Sequence, residues 1–330
     1  MARSHLTLAA LATSAVAELD VVGAAPFGSA GRGDFDAAVI TGRDGRHWIV
    51  RVPRSERAEQ QQSADLVALR ALSQGVRARL PFDVTVYAGQ APIDGTRAVV
   101  SEFVAGSPVT LAGIDLALAE SIGRAIAAVH ALPTSLVTDA GLPAQSAVDA
   151  HRATLALVDR AAATGLVPAA LLERWEQAGQ DGGLWQYTPT VVNGDLGASS
   201  FLASSGDVTG VLGWHGLRIS DPARDLNWVL GIRREGIAEA VFDAYTRVRG
   251  SVDRRLRQRA TLHSELEVAR WLLHGTEQRD TSIVDDAVRM MSRLVDERVG
   301  DAGESISPPT LPILAVDEVE ALLDRAERVS

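Results

Sequence analysis

Three aspartates lie close together in a stretch of short apolar runs and small-residue turns. They are Asp195 in VVNGDLGASSFL at 191–202, and Asp221 and Asp225 in VTGVLGWHGLRISDPARDL at 208–226. A carboxylate carried on a turn after a short strand can take a proton from a hydroxyl, or it can simply cap the turn that Asn193-Gly194 begins. Other chemistries are poorly supplied. The chain has no cysteine, which excludes thiolate nucleophiles, disulfides and cysteine-based zinc sites. No serine sits in a G-x-S-x-G elbow, and the seven histidines show no H-x-x-x-H spacing. All 32 basic residues are arginine. With no lysine anywhere, any phosphate must be held by guanidinium groups or backbone amides.

These residues need a scaffold, and composition supplies one. A chain of 330 residues with 46% apolar content can bury a core in one large domain or two lobes. The net charge of −10 argues against general binding to nucleic acid or anionic membranes. No stretch approaches the ~18–20 apolar residues of a membrane span. The N-terminus has a signal-peptide outline, with Arg3 ahead of an apolar run and Ala15-Val16-Ala17 after it. Thr7, Thr13 and Ser14 interrupt that run, and it is read instead as an amphipathic helix with Leu6, Leu8, Leu11 and Val16 on or near one face. A cytoplasmic protein is the expectation.

The pattern changes character near residue 105. Before it, Phe35 to Thr41 and His47 to Pro53 alternate as strands joined by a turn at 42–45. A helix is predicted from about Ser63 to Ser73 and a strand over Ala98 to Val104, ending at the hinge-like Ala105-Gly106-Ser107-Pro108. After it, helices are predicted over 117–132, 169–178, 237–248, 252–274 and 282–299. One small β island is predicted from Thr190 to Val192, Phe201 to Ala203 and Val208 to Leu212. The expected organisation is α+β, with an N-terminal nucleotide-binding lobe at 1–105 and a helical lobe at 106–300 holding the reactive loop. A Pro-rich connector and C-terminal helix follow at 301–330. Trp175, Trp185, Trp214, Trp228 and Trp271 all fall in the helical lobe and are read as core.

Four segments in order, GRGDFDAAVITGRDGRHWIVRVPR at 31–54, SIGRAIAAVHALP at 121–133, RWEQAGQDGGLWQYTPTVVNGDL at 174–196 and VTGVLGWHGLRISDPARDL, resemble the macrolide 2′-phosphotransferases and, more broadly, the aminoglycoside phosphotransferases. The resemblance implies a protein-kinase-like two-lobed fold. It also implies transfer of the γ-phosphate of ATP or GTP, with magnesium, to a hydroxyl of a small-molecule acceptor. Such a reaction needs a base, cations on the phosphates and metal between the β and γ oxygens.

Carried over by position, the resemblance makes Asp195 the base. Asn193 stands where the family usually has a loop-organising histidine, and Asp221 and Asp225 keep the D-P-x-x-D arrangement that supports the loop. Arg51 takes the place of the phosphate-directed lysine, with Asp65 as its acidic partner. Gly31 and Gly33, in GSAGRG, offer backbone amides to phosphate or else form a plain turn. The metal positions depart from the pattern. Ser200 stands where the family has Asn or His, and Gly213 where it has the aspartate that holds the metal. Magnesium depends on one or two carboxylates plus substrate oxygens and water, so losing one at Gly213 should weaken the metal complex severely. His215 is not read as a ligand because magnesium prefers oxygen. Two functions follow: a small-molecule phosphotransferase with an altered metal site, or a non-catalytic relative that binds nucleotide, ligand or a protein partner.

Overall fold

The alternation at 35–53 becomes a hairpin, and the rest of the first lobe is laid on it. The computed structural model describes residues 3–28, 33–250 and 253–298, together with Ile306. Helix α1 (His5–Ala15) precedes β1 (Val21–Pro26), β2 (Phe35–Gly42) and β3 (His47–Pro53). Then come α2 (Glu56–Ala71), α3 (Gln74–Arg77), β4 (Asp83–Val84), β5 (Tyr87–Ile93) and β6 (Thr96–Glu102). Strands β1, β2, β3, β6 and β5 form, in that order, one antiparallel sheet. Its inward side chains, Ile40, Trp48, Val50 and Val100, pack under α1. The buried face of α1 is Leu8, Ala9 and Ala12, while Leu6 is exposed. Small residues win that face because a helix lying flat on a sheet needs close approach.

Helix α2 begins two turns before the predicted Ser63. Ser55 caps it, its hydroxyl accepting from the Ala58 N–H, and Glu56 and Glu59 occupy the first turn. The polar run ERAEQQQ hid that start because it carries no apolar stripe.

The second lobe contains β7 (Ser107–Pro108), α4 (Leu116–His130), α5 (Ser135–Asp139), α6 (Ala147–Ala162), α7 (Ala169–Gln180), β8 (Thr190–Val192), β9 (Phe201–Ser204), β10 (Asp207–Val211) and β11 (Arg218–Ser220). Helices α8 (Ile237–Arg249), α9 (Leu256–Gln278) and α10 (Thr281–Arg298) complete it. Helices α4 and α8 meet through Leu118, Ile122, Ile126, Val241, Phe242 and Tyr245. A second core joins α6, α7, α9 and α10 around Trp175, Leu266, Leu272 and Met291, with Ile306 buried against it. Each fully buried Leu or Ile contributes roughly 1.5–3 kcal/mol.

The predicted single β island is two sheets. Strands β9 and β10 pair with each other, with β7, and in parallel with β4 from before the hinge. Strand β8 pairs instead with β11, a three-residue strand too short to announce itself in the sequence. Asp83–Val84, on the first-lobe side of the expected boundary, is thus hydrogen-bonded into the second lobe. The predicted C-terminal helix lies outside the described residues.

Candidate active site

Strands β8 and β11 present the 193–200 and 213–217 loops to each other. At Gly194 the backbone turns left-handed, with φ +86°. A Cβ there would come within 2.4 Å of the Gly216 carbonyl oxygen, so the two loops touch backbone to backbone.

Asp225 holds this loop from beneath. Its carboxylate accepts from the Asn193 and Gly194 N–H groups, each at 2.7 Å. His130 Nε2 lies 3.2 Å from the same carboxylate, and His130 Nδ1 lies 2.9 Å from the Tyr245 hydroxyl. Burial pushes the Tyr245 pKa up, keeping that hydroxyl protonated. Asn193 adds a second layer: its amide donates to the Gly213 carbonyl at 2.9 Å, and its Oδ1 accepts from the Asp195 N–H at 3.3 Å.

So supported, the Asp195 side chain is 66% exposed, with Oδ2 at 2.9 Å from His215 Nε2. It borders a cavity of about 400 Å³ whose walls include Leu196, Arg224, Trp228, Glu267 and Arg270. Trp228, expected as core, is therefore partly a cavity wall. Trp175, Trp185 and Trp214 are buried, whereas Trp271 is exposed on the surface.

The donor face is sparser. A cavity of about 200 Å³ lies at the hinge, lined by Ile49, Arg51, Phe103, Gly106, Leu202 and Leu212 among others. Arg51 is in this cavity, its Cζ 5.4 Å from the centroid of the Phe35 ring. The expected Arg51–Asp65 pair is not made. Asp65 instead reaches across the lobes to accept from the Trp214 N–H at 2.6 Å, while Arg51 lies over the Phe35 ring. Gly33 has open space around it and its carbonyl accepts from Arg54 Nη1 at 3.4 Å. Gly31 lies outside the described residues.

The residues present do not fit a magnesium ion. Ser200 ends a short 3-10 turn, its Oγ accepting from the Gly197 N–H at 3.2 Å. Gly213 has no side chain and sits at φ +74°. Among the described residues no group of three acidic, histidine or cysteine side chains could hold a metal.

Asp221 is not a metal ligand and does not touch the loop. Buried among helices, it pairs with Arg259 Nε at 2.9 Å and His263 Nε2 at 3.0 Å, and it caps the following turn through the Ala223 N–H. Burial alone would raise its pKa, but His263 and Arg259 together outweigh that and hold it down to about 2. Asp221 thus ties the 222–225 turn, and only through it Asp225, to α9.

The phosphotransferase enzyme family model matches residues 30–260, more than half of the chain. The chain belongs to the phosphotransferase enzyme family. Solved structures give this family member the same kinase-like fold. The macrolide 2′-phosphotransferase MphH from Brachybacterium faecium, as apoenzyme, superposes with a TM-score of 0.70 and 22% identity over 83% of this chain and 94% of its own. The macrolide 2′-phosphotransferase type I gives 0.69 and 23% over 87% and 96%. The GDP complex of aminoglycoside 2′-phosphotransferase-IIIa gives 0.70 and 18% over 88% and 98%. Among curated proteins, the uncharacterized protein YcbJ of Bacillus subtilis (strain 168) is 25% identical over 210 residues, 58% of this chain. The chain spans 65% of that relative's length.

The phosphotransferase family pattern did not disclose His215, Arg218 or Arg224. His215 touches Asp195, and Gln61 of α2 touches His215 at 3.4 Å. The Arg218 guanidinium bonds the Gly216 carbonyl at 2.8 Å, close to Asp195. A signal was available in the sequence: all three are polar residues in the short segment between Gly213 and Asp225.

Proposed function

We propose that this protein transfers the γ-phosphoryl group of ATP or GTP to a hydroxyl of a small molecule bound beside Asp195, at a rate reduced by the missing carboxylate at position 213. The observation that carries this reading is the placement of Asp195: an exposed carboxylate on a loop fixed by two 2.7 Å bonds to buried Asp225, opening onto a cavity large enough for a small organic molecule. In this reaction the acceptor oxygen bonds to the γ-phosphorus, the bond from that phosphorus to the β–γ bridging oxygen breaks, the nucleoside diphosphate departs, and the hydroxyl proton passes to Asp195. Arg218 beside the base and Arg51 in the hinge cavity are the cations the chain itself offers.

Solved relatives include a GDP and kanamycin complex and a streptomycin–ATP ternary complex, which supports a nucleotide donor and a sugar-bearing acceptor. Among the described residues no helix is long and apolar enough to cross a membrane, and a nucleotide donor favours a cytoplasmic site of action. A second reading, a non-catalytic member that binds nucleotide, ligand or a protein partner, is favoured by one observation, the bare Gly213 in a metal position.

Thermal stabilisation by ATP and GTP, with and without magnesium, combined with phosphate transfer to a panel of sugar-bearing acceptors, separates the two. Asp195→Asn should cut transfer about 10²–10⁴-fold and leave nucleotide stabilisation intact. Nucleotide binding without transfer in the unmodified protein selects the second reading, and no nucleotide binding at all removes the donor from both.

A further inference from the structure

Arg224 lies on the turn between Asp221 and Asp225, where it and Arg270 line both the cavity beside Asp195 and a smaller one of about 40 Å³ behind it. Every carboxylate around it is engaged elsewhere. Asp225 takes two backbone N–H groups and His130, and Asp221 takes Arg259 and His263. Glu267 is bonded by Arg270 at 2.6 Å, and Asp195 by His215. The Nε atom of Arg224 is buried with no hydrogen-bond partner. A buried guanidinium N–H left without an acceptor is costly.

We propose that Arg224 is a specificity-determining residue that receives an oxyanion of the acceptor, so that the acceptor is a polyhydroxylated compound bearing a carboxylate or a phosphate, not a polycation. This rests on the reading of Asp195 as the base, and it adds the charge of the molecule that base serves. A planar guanidinium matches either oxyanion by a two-point bond, and Trp228 and Leu196 offer the apolar wall for a carbon skeleton. Burial first, and the charge of Arg224 in addition, lowers the pKa of Arg218, so the two guanidinium groups lie near enough to repel, a repulsion that a nearby oxyanion would relieve. Arg270 is lowered in the same direction, by burial first.

The test uses the full-length protein without nucleotide, so its outcome does not depend on phosphoryl transfer. Thermal midpoints are measured with gluconate and glucose 6-phosphate as the two acidic arms, glucose as the neutral arm and kanamycin as the cationic arm, each at about 10 mM and matched ionic strength. At least one acidic compound should raise the midpoint, and which one does so distinguishes carboxylate from phosphate; glucose and kanamycin should not. Stabilisation by glucose or kanamycin equal to that by the acids, or none from either acid, overturns the proposal.

Arg224→Gln should weaken acid binding at least ~10-fold while leaving the ligand-free midpoint undiminished, because no partner is lost, and leaving the ATP or GTP shift unchanged. Arg224→Lys, which keeps the charge but not the fork, should bind the acid with intermediate affinity. A fall in the ligand-free midpoint of both variants would mean that Arg224 was already satisfied, and a lost nucleotide shift with acid binding retained would assign it to the donor. Either result overturns the proposal.

Discussion

Behind Asp195 the polar groups that hold its loop are buried and paired: Asp225 with two backbone amides and His130, His130 with Tyr245, Asn193 with the Gly213 carbonyl. In front of it, toward the first lobe, Ser200 bonds its own loop, Asp65 bonds a backbone amide, and position 213 has no side chain. The two sides differ in what they do for the fold. A buried carboxylate that satisfies two backbone donors cannot be removed without unfolding cost, whereas a metal-holding carboxylate in the cleft does nothing for stability and can be lost freely. Persistence of the first side therefore says that the scaffold is intact. The second side carries no such structural duty.

The sharpest way to break this comparison is Asp225→Ala. It should destabilise the protein by about 3–5 kcal/mol in urea unfolding, because the Asn193 and Gly194 amides and His130 lose their partner together. If stability holds, the rear framework is not what fixes the loop.

A second probe uses pH on Asp221. Its folded pKa, about 2, lies below the ordinary 3.8, so its contribution is fully present above the ordinary value and is lost as pH falls through about 2. Equilibrium unfolding between pH 5 and 2 should show stability declining with acid, and Arg259→Met should make that decline smaller and complete at a higher pH, by raising the folded Asp221 pKa toward its ordinary value.

The smallest expected effect comes from repairing the front. Ser200→His with Gly213→Asp should raise magnesium-dependent transfer about 10-fold or more, with little change in melting. A side chain at 213 meets only His215 Nδ1, 3.9 Å from a built Cβ, and aspartate is among the residues that tolerate a left-handed backbone. No gain in activity would mean that the front has diverged beyond its metal ligands.

The sequence disclosed elements whose signal is periodic. The hairpin at 35–53 and helices α4, α7, α8 and α9 were legible because apolar spacing and turn residues agree. Helix α6 carried the same kind of stripe at Ala150, Thr154, Leu157, Val158 and Ala161, beneath an alanine-rich run that offered little contrast. Strands β4 and β11 were not legible, since two or three residues cannot show a period and their partners lie far away in sequence. At the site, Asp195 and the glycine at 213 could be placed by motif. The partner choices could not. Whether Asp65 meets Arg51 or Trp214 depends on how two lobes come together, and whether His215 meets Asp195 depends on the pairing of β8 with β11, neither of which a local pattern encodes.

Gln61 and Asp65 stand four residues apart on α2, one turn of the helix, and both reach over the cleft, to His215 and to the Trp214 N–H. This makes α2 a lever with two points of attachment on the loop that carries Gly213. A small roll of the helix would pull at once on the two residues that follow Gly213, and His215 would carry the displacement directly to Asp195. The first lobe is thereby tied to Asp195 through one helical turn and a single imidazole.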